Sequence, residues 1–223
     1  MIKKKNNNEV DLILPEIAPI NIYSKISIYM NENGFNFNID EQPTVESFEK
    51  IIGEKSTKVA TCVFNTRDNF LSKRRSVIDG VNYDGKLVDY LQDSPMWVDE
   101  DNEYIYFLAY NRKIVKIGMT ITPIKDRCQS YMCGTRKAMK KGSCSTTNYI
   151  ITECNYAALK NNYKVEIFAI KIPKEKKKVT RFNMTREVEV SIARGYEEMI
   201  TDKFIETYGY KPVLCVQKGK STK

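Results

Sequence analysis

No histidine occurs anywhere in the 223 residues of this chain. That absence removes a Ser-His-Asp triad, a Cys-His pair, an HExxH zinc site and any histidine-based nuclease site. No GxxxxGK[ST] loop and no GxGxxG turn occurs either. Chemistry is left to Tyr, Lys, Arg, Asp and Glu. One stretch, Tyr104 to Tyr131 (YIYFLAYNRKIVKIGMTITPIKDRCQSY), gathers four such residues: Tyr106, Lys116, Arg127 and Tyr131. An arginine stays charged and offers planar donors to a phosphate oxygen. A free tyrosine titrates near ~10, so it is a poor base at neutral pH unless cations stabilise its phenolate. Lys116 would be such a cation. Taken singly each residue has an ordinary alternative: Tyr106 a core aromatic, Lys116 an exposed strand residue, Tyr131 a packing residue.

These residues need elements to hold them. The apolar runs 104–110 and 114–119 flank Asn111-Arg112-Lys113 and read as a β-hairpin. Gly118 stands near the exit of the second strand. Thr122 is the expected N-cap of a following helix, with Pro123 in its first turn. On that helix Arg127 and Tyr131, four apart, share one face. Tyr106 and Lys116, ten apart across a short hairpin, are expected to lie side by side.

The unit resembles the GIY-YIG nuclease family. Tyr104-Ile105-Tyr106 stands where that family has its first name motif, without the glycine, and Lys116-Ile117-Gly118 where it has the second, with lysine for tyrosine. KIG is similar to what some small type II restriction enzymes of the family carry, and Met119-Thr120 with the Pro123–Arg127 segment looks like its phage-borne branch. The resemblance covers roughly residues 104–215. It implies a phosphodiester-cleaving endonuclease with Arg127 on the phosphate, Tyr106 as the base acting on water, and Tyr131 bonding the scissile phosphate or orienting the water. The family also has a glutamate late in the domain, followed by an aliphatic residue three on and an aromatic seven on. Glu197, Ile200 and Phe204 match. Glu197 would hold one Mg²⁺, or Mn²⁺ in its place; Glu198 is the neighbouring alternative, about a hundred degrees round the helix. The ordinary reading of Glu197 is a surface acid pairing with Lys203 or Arg194. The products implied are 5′-phosphate and 3′-hydroxyl ends. The expected fold is α+β: a small, mostly antiparallel sheet of 104–110, 113–118 and 164–172, flanked by helices near 123–132, 146–161 and 188–208, with an N-terminal extension.

Charge points the same way. Residues 1–100 hold 12 Lys and Arg against 16 Asp and Glu, whereas 101–223 hold 24 against 12. A basic half suits a polyanion such as double-stranded DNA. Between Arg112 and Lys141 stand nine basic residues and one acid, Asp126. Arg136, Lys137, Lys140 and Lys141, in GTRKAMKKG after the candidate helix, are the expected phosphate contacts; such contacts position a duplex without reading bases. Asp126 is placed off the active face.

The six cysteines lack CxxC spacing, although four fall within 128–154 and leave a Cys₄ zinc site conceivable. Reduced structural thiols suit an intracellular chain. No run of 18 apolar residues and no signal-peptide core occurs, so a cytoplasmic protein is expected.

Residues 1–20 read as a loose arm. Thr44 caps a helix over 45–52 that Gly53 stops, and 58–64 reads as a strand. Ser145 or Thr146 starts a helix, KEKKK at 174–178 reads as a turn, and 179–182 as a short strand. The organisation expected is 1–100, for DNA recognition, dimerisation or padding, and 101–223 as the nuclease-like domain. A palindromic target would favour a homodimer. The rival readings are a DNA-binding protein that keeps the GIY-YIG fold without cleavage, and a protein-interaction module with a lysine-rich surface.

Overall fold

The computed structural model describes residues 27–31, 34–65, 77–78, 81–82, 86–135, 138–139 and 141–215. The arm expected over 1–20 lies outside them, as do three consecutive basic residues, Lys73-Arg74-Arg75.

At the centre stand five antiparallel strands: Thr57–Phe64 (β1), Val88–Gln92 (β2), Asn102–Tyr110 (β3), Lys113–Thr120 (β4) and Val165–Pro173 (β5). Their order across the sheet is β2-β1-β5-β3-β4. The expected sheet of three strands is thus corrected to five, and the two additional strands come from before residue 101. β2 escapes a pattern reading because it is short and only Val88 and Tyr90 bury, while Leu91 stays exposed.

Both faces of the sheet are covered, so every residue of β3 is buried. Side chains alternate across a strand. Tyr104, Tyr106, Leu108 and Tyr110 face one layer, where Ile124–Met132 (α2) and Thr146–Lys160 (α3) pack through Ile124, Cys128, Tyr131, Tyr149 and Cys154. Ile105, Phe107 and Ala109 face the other, against Val45–Ile52 (α1) and Ala193–Tyr208 (α4) through Val45, Phe48, Ala193 and Phe204. Phe48 meets Phe107 and Phe204 edge to face, with ring centroids 5.9 and 5.2 Å away. The segment entering α1 is tied to the β3–β4 turn: Ile114 N donates to Pro43 O and Val45 N to Arg112 O, both at 2.9 Å.

The helix ends follow local chemistry. α1 begins and ends as expected, with Thr44 accepting from Ser47 N and Gly53 in the left-handed region at φ 73°. Ser145 caps α3 through Asn148 N. α2 starts one residue later than expected. Pro123 sits extended at the cap position because Thr120 Oγ1 takes Thr122 N, at 3.2 Å, into the preceding turn. The helix expected over 188–208 starts instead at Ala193. Residues 175–190, read as a turn over 174–178, a short strand over 179–182 and the start of that helix from 188, form a two-stranded ribbon, Glu175–Arg181 (β6) with Met184–Val190 (β7). The strand expected at 179–182 is thus found over 179–181, and the turn and helix readings are corrected.

The first turn of α4 carries no side-chain cap of its own. Glu103, 3% exposed at the start of β3, supplies one from outside. Its Oε2 accepts from Ile192 N at 3.1 Å and from Ala193 N at 2.9 Å. An acid there satisfies two orphan donors and complements the helix dipole. No helix among the described residues is long and apolar enough to cross a membrane.

Candidate active site

The register of the β3–β4 hairpin decides which residues can act together. Tyr110 pairs with Lys113 and Ala109 with Ile114, but the next pair is Leu108 with Lys116. Val115 is the extra residue of a β-bulge. Without it Phe107 would face Lys116, and the lysine would point into the α1–α4 layer. One residue of slip exchanges the faces of a strand. With it, Lys116 and Gly118 come to the face of Tyr106. Gly118, not Lys116, lies directly opposite Tyr106. This corrects the side-by-side placement expected from the spacing. Lys116 occupies the diagonal position, with Cβ atoms roughly 7–8 Å apart, and is itself 7% exposed.

Gly118 lets the phenol of Tyr106 settle on the neighbouring strand. A Cβ on Gly118 would stand 2.5 Å from Tyr106 Cζ and nearer still to its oxygen. The ring is buried and cannot swing clear. Gly118→Ala should therefore lower stability by about 1–3 kcal/mol and displace the hydroxyl from its partners, which chemical denaturation and the near-ultraviolet tyrosine signal would register.

From α2, Arg127 and Tyr131 converge on the same oxygen. Arg127 Nε donates to Tyr106 Oη at 2.9 Å, and the hydroxyls of Tyr131 and Tyr106 lie 2.5 Å apart. The Arg127 guanidinium carbon stands 4.9 Å from the centre of the Tyr131 ring and 5.9 Å from that of Tyr106. Burial works against the charge of Arg127, but the facing tyrosine oxygens outweigh it and hold the guanidinium protonated beyond its usual range. Burial also drives the Tyr131 hydroxyl well above the ordinary tyrosine value, with Tyr106 adding to the shift and Arg127 opposing it. Tyr131 therefore keeps its proton, and either hydroxyl of the pair can donate to the other. Its hydroxyl is engaged with Tyr106 inside the core, and no part of Tyr131 is exposed. From α3, Thr152 Oγ1 donates to the Tyr131 carbonyl and lies 2.8 Å from Asn148 O. Thr152 thus holds the end of α2 in place.

Glu197 comes from α4, on the opposite layer. β4 is the edge strand, so a side chain of that layer can approach Lys116 round the edge. Glu197 is half-buried. Desolvation raises its carboxyl above the usual range, against the opposing pull of Lys116 and then Arg127; Glu198 adds to the rise and Arg194 opposes it. Glu198 differs in kind: it is exposed and takes Arg194 at 3.3 Å. The ordinary partners Lys203 and Arg194 do not pair with Glu197; Lys203 binds Glu206 at 2.8 Å. Asp126 is exposed on the outer side of α2.

Lys116 and Arg127 both pull on the Glu197 carboxyl. No cluster of three or more His, Cys, Asp or Glu that could hold a metal occurs among the described residues. The free cysteines 128 and 154 are buried in the core while Cys133 is exposed. One half-buried carboxylate suits Mg²⁺, which keeps most of its waters and completes its shell with a phosphate oxygen. Of the four expected phosphate contacts, Arg136, Lys137 and Lys140 lie outside the described residues, and Lys141 is exposed.

Three contributions have little sequence signal. Nothing marks Val115 as a bulge, and Thr152 reads as an ordinary helix residue. Glu103 offers a trace, an acid immediately before the Tyr104-Ile105-Tyr106 run.

No family model matches the chain, and no curated protein does. Among solved structures, the chain is similar to the restriction endonuclease HPY188I in complex with product DNA. That match has 27% identity over 81% of this chain and 90% of that one, with a TM-score of 0.48. It is also similar to a mutant of bacteriophage T4 EndoII, with 18% identity over 78% of this chain and 99% of that one, and a TM-score of 0.40.

Proposed function

We propose that this chain is a Mg²⁺-dependent DNA endonuclease of the GIY-YIG type, a restriction enzyme or a phage or mobile-element nuclease. The observation that carries the reading is the convergence of Arg127 Nε and the Tyr131 hydroxyl on one buried tyrosine oxygen, with Lys116 and Glu197 sharing the same field. A structural tyrosine needs one partner. Here one tyrosine oxygen gathers the arginine and a second hydroxyl, which fixes its position as a base requires.

In this mechanism Tyr106 acts as its phenolate: its own proton leaves to solvent before the attack, and Oη then takes one proton from the attacking water, leaving hydroxide to add to phosphorus. Tyr131 and Arg127 hold that oxygen in place, and Lys116 adds positive charge on the same face. The guanidinium donors left over after Nε bind a non-bridging phosphate oxygen. Glu197 would hold the metal, which supplies positive charge for the charge that develops on the phosphate and the leaving 3′ oxygen. Gly118, Glu103 and Thr152 position these groups without touching substrate. A binder that only kept the fold would have no use for a half-buried acid whose ionisation the fold opposes.

The direct test is incubation with plasmid and Mg²⁺, followed by sequencing and end-labelling of the products. Ends carrying 5′-phosphate and 3′-hydroxyl, formed only with the divalent ion, are expected; intact plasmid under every condition would reject the reading. Basic residues Arg136, Lys137, Lys140 and Lys141 are proposed to contact phosphates. Neutralising all four should weaken binding to every sequence alike and flatten the salt dependence by roughly one unit of slope for each phosphate no longer neutralised. An unchanged slope in a fluorescence titration would show that the loop only solvates the surface.

A further inference from the structure

The β6–β7 ribbon stands outside the core. Every residue of both strands is exposed except the last, Val190. The two strands pair along their whole length, from Glu175 with Val190 to Arg181 with Met184, and rise about 20 Å. The ribbon springs from the end of β5, where Pro173 pairs with Asn102 and Ile172 with Glu103. It returns into the start of α4, which Glu103 caps. Glu197 lies four residues into that helix, about 6 Å along its axis. The ribbon and the candidate site therefore share one rigid base.

Its two faces differ. Cross-strand partners lie on the same face. One face carries Lys176 with Glu189, Lys178 with Glu187, and Thr180 with Thr185. There charges cancel: Lys176 pairs with Glu187 at 3.8 Å, and the two threonine hydroxyls bond at 3.0 Å. The other face carries Lys177 with Val188, Val179 with Arg186, and Arg181 with Met184, with Glu175 at the base. Glu175 is taken by Lys177 at 3.5 Å. Toward the tip this face has no acid, and among the described residues no carboxylate pairs with Arg181 or Arg186. They stand among exposed apolar residues: Met184 at 66% and Val179 at 39%.

The turn adds an independent sign. Phe182 and Asn183 both have positive φ, 53° and 59°, as in a type I′ hairpin turn, for which Asn-Gly is the ready solution. A bulky residue there is strained, and this one is 89% exposed. The fold gains nothing from an aromatic ring held in water on a strained backbone. Such outliers gather at functional sites.

We propose that this ribbon is a DNA-reading arm, laying its Arg181–Arg186 face into the major groove with Phe182 leading. The proposal rests on the nuclease reading and adds to it the element that chooses where cleavage occurs. The major groove admits a two-stranded ribbon, and arginine forks match guanine edges. A second copy of the chain is the poorer occupant, because a two-fold contact through this face would set unpaired arginines against one another.

The experiment compares three full-length proteins: the parent, Arg181→Ser/Arg186→Ser, and Lys176→Ser/Lys178→Ser on the charge-cancelled face. Each is scored for affinity to plasmid fragments at fixed salt and for the aligned sequence of its cut ends. All four residues are exposed, so melting temperatures should agree and confirm folding. The expected result is a parent whose ends share a base preference, an arginine variant with affinity reduced about tenfold or more and a flattened preference, and a lysine variant that keeps the preference. A parent and an arginine variant with equal affinity and equal preference would overturn the ribbon's role and leave the nuclease reading standing. A parent that neither retains nor cuts any duplex would overturn both. Loss of a dimer in sedimentation, with DNA affinity and preference intact, would assign the face to a second copy and reject the arm.

Discussion

Tyr106→Phe should reduce strand cleavage by roughly 10²–10⁴-fold, the range for removing a general base, while the protein still folds and still binds duplex. The hydroxyl is the only group removed, and the ring keeps its seat over Gly118. The change has a stability cost, because Tyr131 Oη and Arg127 Nε each lose their partner on that oxygen; a buried donor left unsatisfied costs about 1–3 kcal/mol. Tyr131→Phe is the matched control. It breaks the same buried bond at a smaller cost, because Tyr106 keeps its oxygen and its arginine. If Tyr106 is the base, Tyr106→Phe should melt lower, having lost the Arg127 bond as well, and should cleave at least an order of magnitude more slowly than Tyr131→Phe. Equal losses would mean that the pair supports structure rather than chemistry. Because the interaction removed belongs to the transition state, single-turnover rate should fall while duplex affinity stays.

Glu197→Gln should abolish cleavage, by roughly 10³-fold or more if the carboxylate holds a metal worth several kcal/mol to the transition state, and should make the protein more heat-stable at neutral pH. The sign follows from burial. Desolvation raises the folded-state carboxyl, so the fold binds this proton more tightly than the unfolded chain does. Its ionisation then opposes folding. The penalty is absent below the unfolded value near ~4.3, grows as pH rises toward the folded value, and is constant above it. The neutral amide escapes it, so its gain in melting temperature should be present at pH 8 and shrink at pH 4. Mg²⁺ should raise the melting temperature of the parent, since a cation offsets the same penalty, and leave Glu197→Gln unmoved. Glu198→Ala, which loses only an exposed pair with Arg194, should cleave normally. A dead Glu198→Ala beside an active Glu197→Gln would place the metal ligand one residue on, and a melting gain independent of pH would reject the burial argument.

The parts of this site that are legible in the sequence are those with local rules. The hairpin shows through two apolar runs about a polar break, and the shared face of Arg127 and Tyr131 through helical spacing. The ends of α1 show through Thr44 and Gly53. What depends on register is not legible. The bulge at Val115 carries no composition signal, yet it alone turns Lys116 and Gly118 toward Tyr106. Most of the ribbon beyond the short strand at 179–182 escapes a pattern reading for a related reason: both its faces are exposed, so no burial pattern marks it, and its turn is Phe182-Asn183 in place of a recognisable Asn-Gly. Glu103 looks like surface charge because its work, capping α4, joins residues ninety positions apart. The role of Glu197 itself rests on resemblance, and only burial separates it from Glu198.

The order β2-β1-β5-β3-β4 also bears on how such a protein is made. β5 is synthesised last of the five strands yet lies in the middle, joining β1 to β3. As the chain leaves the ribosome, the Tyr106 hairpin can close on its own, but it has no neighbour on its inner side until residue 165 emerges. Pairings this distant in sequence are slow to form. A nascent chain halted before that point has neither the central strand nor Glu197. Incomplete products would carry Arg127 and the two tyrosines without Glu197, so the four groups come together only once the whole sheet and α4 have been made.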